Sequence, residues 1–184
     1  MPCSMPYNTS TISEIIWRTS PKSIIDIGSG GGKYGVIFRE LTDWMRGRYY
    51  KNQWKIKIDC VEIFEKYITP IHQYIYDKIT IGDIREIEIE KYDLIFMGDV
   101  LEHIKRNEAI NLFKKIHKSN SGMILISTPD GKTQLAEKRN PHGNDNESHV
   151  YMWNKEELEN SFEDWNVLHS SQNKYMITVL YGRK

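Results

Sequence analysis

The chain has 184 residues, enough for one domain with a full hydrophobic core. Its 25 Lys and Arg balance 25 Asp and Glu, so the net charge is zero, which weighs against a non-specific nucleic-acid binder. No apolar run has the length of a membrane span, and the opening Met1-Pro2-Cys3-Ser4-Met5-Pro6 lacks the basic and apolar regions of a signal peptide.

Thr11-Ile12-Ser13-Glu14 has the form of a capping box, followed by Ile15 and Ile16, and predicts a leading helix that stops near Ser20-Pro21. Ser23 to Ile27 is a short β-branched run that ends at Gly28 and predicts a buried strand. Tyr34, Ile37, Phe38, Leu41 and Met45 recur at helical spacing. Gly47 to Gln53 predicts a loop, and Lys55 to Glu62 a second strand containing Cys60 as a small buried hydrophobe. Cys3 and Cys60 lie far apart without metal-ligand spacing, and a reducing cytoplasm is the expected location.

Thr69-Pro70 supplies an N-cap and first-turn residue, with Ile71, Tyr74 and Ile75 as the apolar stripe. Lys78 to Ile81 and Tyr92 to Met97 predict the third and fourth strands, ending at Gly82-Asp83 and Gly98-Asp99. A helix follows between Asn107 and Ser119, then a fifth strand from Gly122 to Ser127, closed by Thr128-Pro129-Asp130-Gly131. Lys132 to Ser148 is polar without a clear period. Asn154 and Glu157 predict a reciprocal cap, with Trp153 and Leu158 as a hydrophobic staple. Trp165 to Ser170 and Tyr175 to Tyr181 predict a closing antiparallel pair.

Strands alternating with helices from residue 23 to 128 predict an α/β fold: a doubly wound, mainly parallel seven-stranded sheet with helices on both faces and an antiparallel C-terminal hairpin. In such sheets ligands bind beyond the carboxyl ends of the strands. Here those ends are Gly28, Glu62, Asp83, Asp99 and Thr128-Pro129, four of them a glycine or a carboxylate after an apolar run. Gly28, Gly30, Gly31 and Gly32 allow a tight turn and close backbone approach to a ligand. A pyrophosphate site would want a third fingerprint glycine at residue 33, which is lysine, and no carboxylate just before the turn, where Asp26 stands. Asp26 suits a ligand with an ammonium group instead.

Asp26-x-Gly28-x-Gly30-x-Gly32 resembles the first motif of class I methyltransferases that use S-adenosylmethionine (SAM) and release S-adenosylhomocysteine (SAH). Val61-Glu62 resembles their second-strand acidic position, and Gly82-Asp83-Ile84 their adenine-contacting segment. Tyr92 to His103 resembles their fourth-strand motif. The resemblance covers residues 22 to 130. It implies cofactor contacts from Asp26, Gly28, Ser29, Gly30, Gly32, Glu62, Asp83, Ile84 and Asp99, with Glu62 on the ribose hydroxyls, Asp83 on the adenine amine and Ile84 on its ring face. Glu65 competes with Glu62, because the spacing from Gly28 is long.

One domain over 1–184 is expected: a leading segment (1–21), a SAM-binding core (22–130) and an acceptor-side loop, helix and hairpin (131–184). His103 and His149 are the candidate catalytic residues: His103 as the general base, and His149 with Tyr151 on the loop after the fifth strand, where an acceptor pocket would form, while Asp99 and Glu102 are placed to orient the acceptor or the ammonium group of SAM. The acceptor is expected to be a small molecule or glycan. His142 and His149 flank a polar stretch that matches no closed zinc pattern, so no metal is assigned. Lys132 to Ser148 is long enough to form a lid with His142 and His149 at its two ends. Lys114, Lys115 and Lys118 read as a solvated helix face. Arg46, Arg48 and Lys51 are the residues that could touch an anionic substrate. Two other classes stay open: an NAD-dependent Rossmann oxidoreductase and a SAM-binding protein without catalysis. The oligomeric state is open as well.

Overall fold

The computed structural model describes residues 4–132 and 143–184. Among them, seven strands form one sheet: β1 (Ser23–Ile27), β2 (Lys57–Glu62), β3 (Lys78–Ile81), β4 (Leu94–Gly98), β5 (Met123–Pro129), β6 (Trp165–Gln172) and β7 (Met176–Arg183). The spatial order is β3-β2-β1-β4-β5-β7-β6. The first five strands pair in parallel, and β7 lies antiparallel between β5 and β6. The chain direction reverses outward from the β1–β4 pair, which is where a doubly wound sheet opens its crevice.

Side-chain parity along the central strands divides the core in two. Ile25, Ile27, Ile95, Met97, Ile124 and Ile126 face one side, against α4 (Arg106–Lys118) and α5 (Lys155–Asn160). Ile24, Leu94, Phe96 and Leu125 face the other, with α1 (Thr9–Thr19) and α2 (Lys33–Thr42). Near-continuous apolar strands of this kind are what a parallel sheet covered on both faces requires.

Three helices depart from the sequence expectation. α1 begins at Thr9, two residues before the predicted box, because the 3₁₀ turn Pro6–Asn8 leads directly into it. It ends at Ser20, which takes the left-handed conformation ahead of Pro21. α2 ends at Thr42 rather than running to Met45, which is exposed on the next 3₁₀ turn. The cause is Asp43, whose carboxylate is drawn inward by Arg39 (2.8 Å), Arg48 (2.6 Å) and the Lys55 N–H (3.0 Å). In α3 (Pro70–Ile75) the buried face is His72 and Ile75, while Ile71 and Tyr74 are half exposed. The predicted Thr69 cap is present, with His72 as its reciprocal partner, and the Asn154 cap of α5 also forms.

The basic residues have structural partners. Arg48 pairs with Asp43, Arg46 donates to Ser20 Oγ (3.0 Å), and Lys51 donates to the carbonyls of Gln73 and Tyr74 (3.0 and 2.8 Å). Lys115 leaves the expected solvated face and donates to the carbonyls of Ile84, Arg85 and Ile87. Among the described residues no helix is long and apolar enough to cross a membrane.

Candidate active site

A cavity of about 310 Å³ lies over the carboxyl ends of the parallel strands. It is lined by Gly28, Ser29, Gly30, Gly31 and Glu62 and by Glu102, His103 and His149. Asp83, Ile84 and Asp99 line it as well, and Ser4 and Met5 of the N-terminal segment also border it.

The turn after β1 needs its glycines. Gly28, Gly30 and Gly32 have φ of 72°, 52° and 82°, the left-handed region that side chains resist. A Cβ on Gly28 would also sit 2.4 Å from Val100 Cγ2. The backbone therefore passes close to the loop after β4.

Glu62, the last residue of β2, braces this turn. Its Oε2 accepts from the Gly30 N–H (2.8 Å) and its Oε1 from the Phe64 N–H (3.0 Å). Burial raises its pKa, against the lowering effect of those two N–H groups. Glu65 does not line the cavity.

Asp26 is buried and is not on the cavity wall. It shares parity with Ile24 in β1, so its carboxyl points to the side where Tyr76, at the end of α3, donates to its Oδ2 at 2.5 Å. Burial pushes Asp26 up to about 7, the Tyr76 bond works against that, and the nearby Glu62 charge adds to it. Gly35 on α2 makes the room: a Cβ there would lie 2.4 Å from the Tyr76 ring. Gly32 likewise lies off the cavity wall, at the start of α2, where it packs near the buried His72.

Asp83 is bonded by Arg85, whose guanidinium and N–H hold its carboxyl below the usual range. Arg85 in turn pairs with Glu108. Ile84 is buried beside it, under the carbonyls that Lys115 clamps. Asp99 takes an unusual φ of 54° and is pushed up to about 6, chiefly by burial, with Ser4, Met5 and Lys33 acting in the opposite direction.

His103 and His149, 46 positions apart in sequence, meet with ring centroids 5.1 Å apart. A backbone strap brings them together. The N–H groups of Val150 and Tyr151 donate to the Glu102 carbonyl (2.9 and 3.1 Å), and the Trp153 indole donates to the Leu101 carbonyl (3.2 Å). His142 and residues 133–142 of the expected lid lie outside the described residues. Asn144, Asn146 and Glu147, from the described end of that stretch, line the cavity.

Sequence reasoning placed the strand-end residues but missed Tyr76 and His72 as supports of the glycine turn and Lys115 as a clamp on the carbonyls of Ile84, Arg85 and Ile87. Strand parity is the signal that could have found Tyr76: it turns Asp26 away from solvent and toward the helix that follows β2.

The glycine cradle and the braced acidic residue fit SAM. Similar solved structures share this fold. The PH0226 protein from Pyrococcus horikoshii OT3 superposes with a TM-score of 0.68 at 13% identity, over 96% of this chain and 88% of that one. A SAM-dependent methyltransferase from Clostridium acetobutylicum gives 0.66 at 14% identity, over 95% and 90%. Human N-acetylserotonin methyltransferase in complex with SAM gives 0.68 at 12% identity, over 96% of this chain and 52% of that one. No curated protein sequence matches the chain. A family model described as a methyltransferase domain matches residues 5–167, most of the chain, and displaces the oxidoreductase reading. With this match the chain belongs to the family of methyltransferase domains, and its fold is the one these SAM-dependent methyltransferases have.

Proposed function

We propose that the chain methylates a small molecule or glycan whose acceptor atom enters between His103, His149 and the middle of the cavity. The observation that carries this reading is the cavity itself: one lining takes in both the glycine turn with Glu62 and a cluster of Glu102, His103 and His149. SAM supplies an activated methyl group on a sulfonium.

The chain's own residues bind, orient and handle the proton. Glu62 has a carboxylate at the cavity edge to accept ribose hydroxyls, with Asp83 and Ile84 toward the adenine. Asp99, charged near neutral pH, faces the ammonium group. Asp26 acts on the same site from beneath, by fixing Tyr76 and the turn. Gly28, Ser29, Gly30 and Gly32 let the main chain approach. His103 and His149 stand where an acceptor proton would leave. The balanced charge of the chain supports a small acceptor over a polyanion.

The test is incubation of the full chain with methyl-labelled SAM and fractionated cell extract. Label in a small-molecule or oligosaccharide fraction is the expected result. Label confined to nucleic acid or protein would overturn the acceptor assignment.

A further inference from the structure

The acceptor end of the cavity holds a group of side chains that proton transfer alone does not explain. One ligand-type atom from each of Glu102, His103 and His149 lies within 4.8 Å of the other two. Protein ligands bind a divalent ion at about 2.0–2.2 Å, so three ligands of one ion cannot all lie more than about 3.8 Å apart, and closing this group needs shifts of about 1 Å.

Each of the three side chains is already oriented. Glu102 is 1% exposed; Thr128 donates to its Oε2 (3.1 Å), while its Oε1 has no hydrogen-bond partner among the described residues and lies 4.0 Å from His103 Nε2. A buried carboxyl oxygen without a hydrogen-bond partner costs free energy that a bound cation would recover. His103 Nδ1 lies 3.0 Å from the Ser148 carbonyl. A carbonyl can only accept, so Nδ1 carries the proton and Nε2 presents its lone pair toward Glu102. This is the outer hydrogen bond that metal-ligating histidines make. His149 is fixed by the strap that ties Val150 and Tyr151 to the Glu102 carbonyl.

We propose that Glu102, His103 and His149 bind one divalent transition-metal cation, whose remaining positions face the cavity and hold an oxygen acceptor. Two imidazoles and one carboxylate suit manganese, iron, cobalt or zinc better than magnesium, and they leave coordination positions open. A hydroxyl held there is acidified by the ion and loses its proton to solvent. Its oxygen then bonds to the methyl carbon as the carbon–sulfur bond breaks and that electron pair stays on sulfur. In this arrangement the two histidines hold the ion, and solvent takes the proton that the reading above brings to them. The acceptor part rests on the methyl-transfer reading above, whereas the ion site does not.

The experiment uses the full chain, stripped with chelator and titrated with Co²⁺ while visible absorption is recorded, and with Mn²⁺ by calorimetry. One ion per chain is expected, with d–d bands unlike those of aqueous Co²⁺. His149→Ala and Glu102→Gln should each weaken binding at least tenfold while SAH affinity in His149→Ala stays within about threefold. His149 is at the cavity edge, so its variant keeps the test sharp if Glu102→Gln does not fold. An aqueous Co²⁺ spectrum with the wild-type chain, or equal affinity in His149→Ala, would overturn the site. Methyl transfer to the extract acceptor should stop on chelation and return with Mn²⁺; transfer that chelation leaves intact would overturn the acceptor part. Failure of SAH to bind would count against the methyl-transfer reading and leave the metal result standing.

Discussion

Tyr76 donates its phenolic hydrogen to Asp26 at 2.5 Å across a gap left open by the missing side chain of Gly35. This contact joins the end of α3 to β1 just before the glycine turn, so the turn is supported by residues that do not line the cavity.

Asp26 makes stability depend on pH. Its carboxyl titrates near 3.8 when unfolded and at about 7 in the folded chain, so the folded state retains the proton between those values. Stability is therefore highest below about pH 4 on this account, falls as pH rises toward 7, and levels off above it. Asp26→Asn removes the titration. Chemical denaturation from pH 4 to 8 should show the variant gaining on wild type by an amount on the order of a few kcal/mol. Parallel pH profiles for the two proteins would contradict this account.

Gly35→Ala opposes two effects. Alanine in a helix interior gains roughly 1 kcal/mol over glycine. The new Cβ would lie 2.4 Å from the Tyr76 ring, and overpacking of that kind costs about 1–3 kcal/mol. The clash should win, and with it the Tyr76–Asp26 bond should be lost, giving a lower Tm. A higher Tm would mean that Tyr76 can move aside freely.

Gly28→Ala carries two penalties that can be separated. The left-handed φ of 72° costs about 1–2 kcal/mol for any side chain. Contact with Val100 Cγ2 adds a steric cost. Val100→Ala in the same chain should relieve the second penalty and leave the first, so the double variant should be more stable than Gly28→Ala alone. Simple additivity of the two substitutions in thermal melts would show that they do not touch.

Glu62→Gln should weaken SAH binding about ten- to a hundredfold, the worth of roughly 1.5–3 kcal/mol for charge-assisted bonds to the ribose. The structure adds a second effect. Both carboxylate oxygens accept from backbone N–H groups, and an amide offers only one acceptor. A drop in Tm should accompany the binding loss. Glu65→Gln should change neither, and a larger effect there would move the ribose contact by one turn.

The strand ends were legible because each apolar run stops at a glycine or carboxylate, and the C-terminal hairpin because two β-rich runs flank a short polar connection. What the sequence hid is set by distant partners. The end of α2 depends on Asp43 finding Arg39, Arg48 and Lys55. The buried face of α3 was misjudged because six residues are under two turns, too few for periodicity to separate Ile71 from His72. The meeting of His103 with His149 depends on backbone bonds to the Glu102 carbonyl, which no spacing rule encodes.

Arg39 is fully buried, and its guanidinium reaches Asp43, Asp77 and the carbonyls of Ile56 and Ile75 while lying over the Trp54 ring. The stretch between α2 and β2, which by length resembles an added loop, is therefore keyed to both neighbouring helices and to the edge of the sheet. Trimming it would leave a cation facing oil where carboxylates and carbonyls now receive it. A relative with a shorter connection would be expected to carry an apolar residue at the position of Arg39, so that the length of one loop and the polarity of one helix change together.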